Sequence, residues 1–261
     1  EKVANLQYGA TQAWVYAFTF IGGLFADKIL GLRKSLFWGG ILMIIGSVIL
    51  AIDPKNFFFI GLGFTIVGTG FFKPNISSMV GQLYPDGDPR RDAGFSFFYM
   101  GVNLGALIGG YICIAVAEGS MWQSIVPEHL RWNVGFGFAA IVMIISLLTF
   151  TQTQKSLGPI GLSPLKEMMV SKRKQLEIVT YVGSLLVIPL IIVMVANTHY
   201  TDYFMICIGP ASILYLLYEM KNFTLAENKK LFAALIFIIF SIFFWAFFEQ
   251  SGGSLSLFAV N

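Results

Sequence analysis

From Phe57 to Leu83 the chain reads FFFIGLGFTIVGTGFFKPNISSMVGQL. This run exceeds the about 20 mostly apolar residues a helix needs to cross a bilayer. Its single charge, Lys73, stands beyond the middle, beside Pro74 and Asn75. A cation at that depth costs on the order of 2.5–3.5 kcal/mol on the insertion scale, so it faces a protein interior or a watery cavity. Pro74 has no amide hydrogen, which leaves the Gly70 carbonyl without its helical donor. A kinked helix with a free carbonyl beside a cation makes a polar cavity wall. The plainer alternative is a structural lysine in a permanent ion pair.

Working outward, seven more apolar runs flank this one. They are Tyr8–Ala26, Ser35–Ile52, Gly94–Ala117, Trp132–Thr151, Ile178–Ala196, Tyr203–Tyr218 and Leu231–Ala259. Eight runs in all predict an all-α, polytopic membrane protein. Composition agrees: 56% of residues are hydrophobic and 12% are charged, where a soluble domain carries roughly 25% charge. Mean hydropathy is +0.75. The net charge of +3 does not indicate nucleic acid, because the basic residues lie between the apolar runs and form no stripe.

Their distribution sets orientation instead. The odd-numbered connections hold Lys28, Arg33, Lys34, Arg90, Arg91, Lys155, Lys166, Lys172, Arg173, Lys174, Lys221, Lys229 and Lys230. The opposite side holds Lys2, Lys55 and Arg131. This asymmetry puts the odd connections in the cytoplasm. The chain opens Glu1-Lys2-Val3 and stops after an apolar run at Asn261, which reads as two cut ends with a helix expected before the first. The connection from Gln152 to Glu177 reads as a cytoplasmic linker with an interfacial helix near Pro164–Glu177.

Among the acids, only Glu249 falls deep within a run. It follows Trp245 by four residues, on one helical face. Burial beside an indole disfavours the charged form, so this carboxylate is suited to exchange a proton near neutral pH. A structural ion pair is the alternative. His129 and His199 lie in outer connections and do not compete. In the fourth run, Gly101, Gly105 and Gly109 form a small-residue ridge that admits a close helix neighbour. Asn103 points away from it, on the face of Tyr99, as a ligand contact or an interhelical hydrogen bond. Cys113 and Cys207 sit inside apolar runs without metal-ligand spacing. No zinc motif, phosphate loop or nucleophile–base pair is present, so an integral-membrane enzyme is disfavoured.

Three stretches carry a more specific resemblance. Gly68-Thr-Gly-Phe-Phe-Lys73-Pro74-Asn75-Ile-Ser77 is one. Asp88-Pro-Arg90-Arg91-Asp92-Ala-Gly94-Phe95-Ser-Phe-Phe98-Tyr99-Met-Gly-Val-Asn103-Leu-Gly105 is the second, and Phe248-Glu249-Gln250-Ser-Gly-Gly-Ser254-Leu the third. Together they resemble the proton-dependent oligopeptide transporters of the major facilitator superfamily. The first connection, with Gly23, Asp27, Lys28, Gly31 and Arg33, is similar to that superfamily's cytoplasmic loop motif, with the one-residue insertion of this family.

The resemblance implies a major-facilitator-type helix bundle, represented here by family helices two to seven and two inserted helices of the bacterial members. Residues 1–152 would form most of the N-terminal bundle, 153–230 a cytoplasmic linker with the inserted pair, and 231–261 the start of the C-terminal bundle. The implied activity is proton-coupled symport of di- and tripeptides across the bacterial inner membrane. Its partners would be small peptides, protons, membrane lipid and further helices of the same protein, with no metal and no cofactor beyond the proton gradient. Lys73 would attract the peptide carboxylate, Asn103 and Tyr16 would bind peptide, and Trp245 would form an aromatic wall. Glu249 would be the protonatable gate, with Lys73 sharing in the coupling. The alternative is another anionic or zwitterionic solute, such as nitrate, an amino acid or a drug, carried on the same fold.

Overall fold

The computed structural model describes residues 2–122, 124–165 and 167–252. Among these, eight long helices follow one another: α1 (Lys2–Phe25), α2 (Leu32–Ile52), α3 (Phe58–Gln82), α4 (Arg90–Ala117), α5 (Arg131–Thr153), α6 (Val170–Ala196), α7 (Thr198–Glu219) and α8 (Leu225–Phe248). Each coincides with one predicted run. Lipid offers no partner to backbone amides, so every spanning segment must satisfy its own hydrogen bonds as a helix. Seven segments are both long and apolar enough to cross a membrane. The eighth, α3, has the length at 25 residues, but Lys73, Asn75, Ser77, Ser78 and its glycines dilute its hydropathy.

The chain divides into two compact units. The larger runs from Ala13 to Val193 and is organised by glycine. α2 and α3 lie antiparallel, with Gly39 opposite Gly68 and Gly46 opposite Gly61. A β-carbon on Gly39 would stand 2.5 Å from the Gly68 carbonyl oxygen, and one on Gly46 2.6 Å from that of Gly61. Backbone meets backbone along this seam, as small residues permit. α1 packs on α3 in the same way, Gly22 lying against the Gly70 carbonyl. That is the carbonyl which Pro74 deprives of its donor.

α5 covers α2, with Leu147 over Gly40. The Asn133 amide donates to the Ala51 carbonyl at 2.8 Å. Ile188 and Ile192 of α6 pack on Gly63 of α3. Polar bonds also fix α6 to α2. Lys34 Nζ reaches the Glu177 carboxylate at 2.6 Å, and Trp38 Nε1 donates to Ser184 Oγ at 3.0 Å.

The second unit comprises the start of α1 through Gln12 and the chain from Met194 onward. Thr201 Oγ1 donates to the Met194 carbonyl at 2.6 Å, tying α7 to the end of α6. α8 opens on a capping box between Thr224 and Glu227.

Side chains also mark the helix ends. Asp53 accepts from the side chain and backbone of Asn56 and from the Lys55 backbone. These bonds, the Asn56 side chain foremost, hold its carboxyl below the usual range. Before α4, Asp88 accepts from the Arg90 side chain and amide, and its carboxyl is lowered likewise.

One expectation changes, one meets no partner and one falls outside the described residues. Val170–Glu177 is no separate interfacial helix but the first two turns of α6: its polar residues lie outside hydrocarbon, which hydropathy reads as a break and the backbone does not. No described atom lies within 4 Å of β-carbons placed on Gly101, Gly105 or Gly109, so the α4 ridge has no close neighbour among the described residues. The expected continuation of the last run to Ala259 lies outside them.

Candidate functional site

In the larger unit, Lys73 and Tyr16 come together. The Lys73 ammonium stands 4.5 Å from the Tyr16 ring centroid, a cation–π geometry. Lys73 is exposed, and Tyr16 is 41% exposed. At 100° per residue, Lys73 lies about 140° around α3 from the Gly68 seam. It therefore projects from the α1 side of the helix, away from α2. Its neighbour Asn75 is buried and donates to the Phe71 carbonyl at 2.6 Å. The Lys-Pro-Asn sequence thus places a cation outward and an amide inward on either side of Pro74.

Asn103 is exposed on α4, and its amide donates to the Tyr99 carbonyl one turn back at 2.8 Å. This confirms the shared face of the two residues. The bond is internal to α4 and leaves the side-chain carbonyl oxygen outside it.

In the other unit, Glu249 is half-buried at the end of α8. The Tyr8 hydroxyl donates to its carboxylate at 3.2 Å, and the Gln12 amide donates to the Tyr8 oxygen at 3.0 Å. Trp245 sits one turn before Glu249 and meets Phe248 edge-on, with centroids 5.3 Å apart. An aromatic cluster and a carboxylate bonded to a phenol therefore share one end of α8. Sequence reasoning missed Tyr8 and Gln12. The signal was a polar pair four residues apart in an apolar helix, without any indication of its partner.

The loop motif spans the turn between α1 and α2. Gly31 has φ +79°, and a β-carbon there would collide with the backbone of Leu162 and Ser163. The Arg33 amide donates to the Gly161 carbonyl at 3.0 Å, its Nη2 to the Gly158 carbonyl at 2.7 Å, and Ser163 Oγ to the Ile29 carbonyl at 2.6 Å. A β-carbon placed on Gly23 would stand 3.8 Å from the Pro74 side chain, an ordinary contact. Asp27 and Lys28 are exposed.

The family model described as the POT family matches residues 33–261. The chain belongs to the POT family. An uncharacterized transporter of Bacillus subtilis is 34% identical over 94% of this POT family chain and 49% of its own length. A di-/tripeptide transporter of Lactococcus lactis is also 34% identical, over 94% of this chain and 48% of its own. A solved POT family transporter in complex with a thioalcohol-conjugated peptide superposes with a TM-score of 0.77 at 30% identity, covering 99% of this chain and 53% of that one. This POT family chain thus spans about half the length of the curated relatives it matches. The match bears out the major-facilitator-like bundle, and with it a multi-pass protein of the bacterial inner membrane.

Proposed function

We propose that the protein is a proton-coupled symporter of di- and tripeptides working by alternating access. The observation that carries this reading is Lys73. It is a cation on a membrane-spanning helix, exposed on its face of the larger unit and steadied by the Tyr16 ring. Lipid would penalise such a group, so this face is suited to a watery cavity that receives a carboxylate. The names of the relatives support a peptide as the source of that carboxylate.

A di- or tripeptide presents fixed charged ends and variable side chains. Lys73 answers the carboxylate end, and Tyr16 and the free carbonyl of Asn103 supply hydrogen bonds. The family resemblance assigns Trp245 the role of an aromatic wall, a surface that accepts varied side chains without demanding one. Glu249 takes the proton. Its charged form accepts from Tyr8 and can pair with a cation; its neutral form weakens such pairing. A group that favours one of two conformations according to its charge couples the proton gradient to the change of access. No cofactor is required, and no bond is made or broken, so we read the protein as a transporter and not an enzyme. In this reading residues 1–152 belong to the N-terminal bundle, 153–230 to the linker and inserted pair, and 231–261 to the C-terminal bundle.

The test is uptake of a labelled dipeptide by the intact protein in proteoliposomes under an imposed pH gradient. Uptake should follow the gradient, yield to unlabelled di- and tripeptides, and vanish in Lys73→Ala. Near-normal uptake by that variant would remove Lys73 from the mechanism. Competition by nitrate or a free amino acid, and not by peptides, would assign another solute.

A further inference from the structure

A groove of about 410 Å³ opens on the larger unit between α2, the end of α5 and α6. Arg33 and Lys34 line one end; Phe37, Trp38 and Tyr181 line the rest, with Gln154 at the side. Lys34, Phe37, Trp38 and Ile41 recur at helical spacing on one face of α2. From Lys34 to Ile41 that face descends about 10 Å, from the end that charge asymmetry assigns to the cytoplasm into the apolar depth of the membrane.

The charge at the mouth is not internally balanced. Lys34 pairs with Glu177 at 2.6 Å and Arg173 approaches the same carboxylate at 3.8 Å. Arg33 gives one bond to the Gly158 carbonyl, and its Nε is buried with no hydrogen-bond partner among the described residues. Three cations thus face one anion. Below them the wall is rigid, because Trp38 is fixed by its bond to Ser184 and lies 4.8 Å from the Tyr181 ring, centroid to centroid.

We propose that this groove binds an anionic phospholipid of the cytoplasmic leaflet, its phosphate at Arg33 and Lys34 and one acyl chain along Phe37 and Trp38. A soluble anion would answer the cations and make no use of the aromatic wall below them. A neutral lipid would cover the wall and leave the charge. Basic pockets between membrane helices on the cytoplasmic side recognise anionic headgroups in this way.

The test is native mass spectrometry of the delipidated intact protein with equal amounts of phosphatidylglycerol and phosphatidylcholine. Phosphatidylglycerol should bind in preference. Lys34→Gln and Arg33→Gln should each weaken it about fivefold, the worth of one cation near a lipid surface. Lys34→Gln also strips Glu177 of a partner and Arg33→Gln removes the bond to the Gly158 carbonyl that ties the turn, so Gln154→Glu carries the test independently. It places a repelling charge in the groove and disturbs only the Gln154 bond to the Thr151 carbonyl. Lys55→Gln, an equal loss of positive charge past the opposite end of α2, should leave binding unchanged. Equal binding of the two lipids, or no greater loss for Gln154→Glu than for Lys55→Gln, would overturn the proposal. Displacement of the lipid by glycerol phosphate at equal concentration would overturn the acyl-chain half and reduce the site to a soluble-anion site.

Discussion

Gly39→Ala adds one methyl group to the seam between α2 and α3, and its effect can be worked out from the coordinates. The new carbon would stand 2.5 Å from the Gly68 oxygen and 2.7 Å from the Phe72 nitrogen. Both are backbone atoms inside a helix, so neither can rotate aside. The contact falls about 0.9 Å short of ordinary van der Waals separation, on the repulsive wall of the potential. The two helices must therefore move apart, and the same movement loosens the Gly46–Gly61 contact further along. Overpacking of this kind costs typically 1–3 kcal/mol, offset by up to about 1 kcal/mol from replacing glycine in a helix. The net loss is on the order of 1–2 kcal/mol, a fall in Tm of roughly 2–8 °C.

Gly137→Ala is the matched control. Its β-carbon would meet the Ala51 methyl at 3.7 Å, an ordinary contact on the same bundle, so the variant should melt at or slightly above the parent temperature. The assay is thermal unfolding of the purified protein followed by tryptophan fluorescence. If Gly39→Ala melted no lower than the parent, or Gly137→Ala fell equally far, the backbone-to-backbone seam would be refuted.

Three other outcomes are expected. Glu249→Gln keeps an acceptor for Tyr8 but removes the proton, so it should abolish uphill, gradient-driven uptake and spare counterflow; equal loss of both would make the residue purely structural. Tyr8→Phe removes two hydrogen bonds, the one given to Glu249 and the one accepted from Gln12, each worth about 0.5–1.5 kcal/mol net, and should lower uphill uptake several-fold, less than Glu249→Gln does; unchanged uptake would separate Tyr8 from the site. At the start of α4, the carboxyl of Asp88 is depressed by Arg90, so its contribution is complete above the ordinary carboxylate range and lost as pH falls through the lowered native value. Hydrogen exchange of the first turn of α4 should therefore be faster in Asp88→Asn than in the parent at pH 7, and the difference should vanish in acid; a difference independent of pH would exclude the carboxylate.

The eight helices were legible because hydrocarbon thickness imposes a length on each apolar run, and that length is written in one dimension. Where a helix outruns the hydrocarbon, as α6 does over Val170–Glu177, hydropathy stops early while the backbone continues. Helix pairing was less legible. Glycine spacing states that a close approach is possible, not which helix supplies it. Gly101, Gly105 and Gly109 carry the clearer motif, whereas the close contacts fall on Gly39, Gly46, Gly61 and Gly68, whose sevenfold spacing shows only when two antiparallel helices are laid side by side. The candidate site divides similarly. Lys73 and Glu249 stand out as charges among apolar residues, but the partners seen here, Tyr16 and Tyr8, are distant in sequence and are brought near by the fold alone.

The loop motif shows what a motif can hold in common without a common role. Gly31 is required by its positive φ and by the passage of Leu162 and Ser163 across it. Arg33 is engaged by carbonyls of Gly158 and Gly161. These two residues tie the chain that follows α5 onto the α1–α2 turn, within one compact unit, and they have no freedom to exchange partners cheaply. Asp27 and Lys28 occupy the same turn with their side chains exposed. A conformational cycle needs groups whose contacts differ between its states, and on a cytoplasmic turn exposed charges form and release such contacts at the smallest cost. The fixed pair therefore builds the platform, and the free pair is what the platform presents. Substitutions at Gly31 or Arg33 disturb the fold of the turn first, whereas those at Asp27 or Lys28 act on whatever the turn meets.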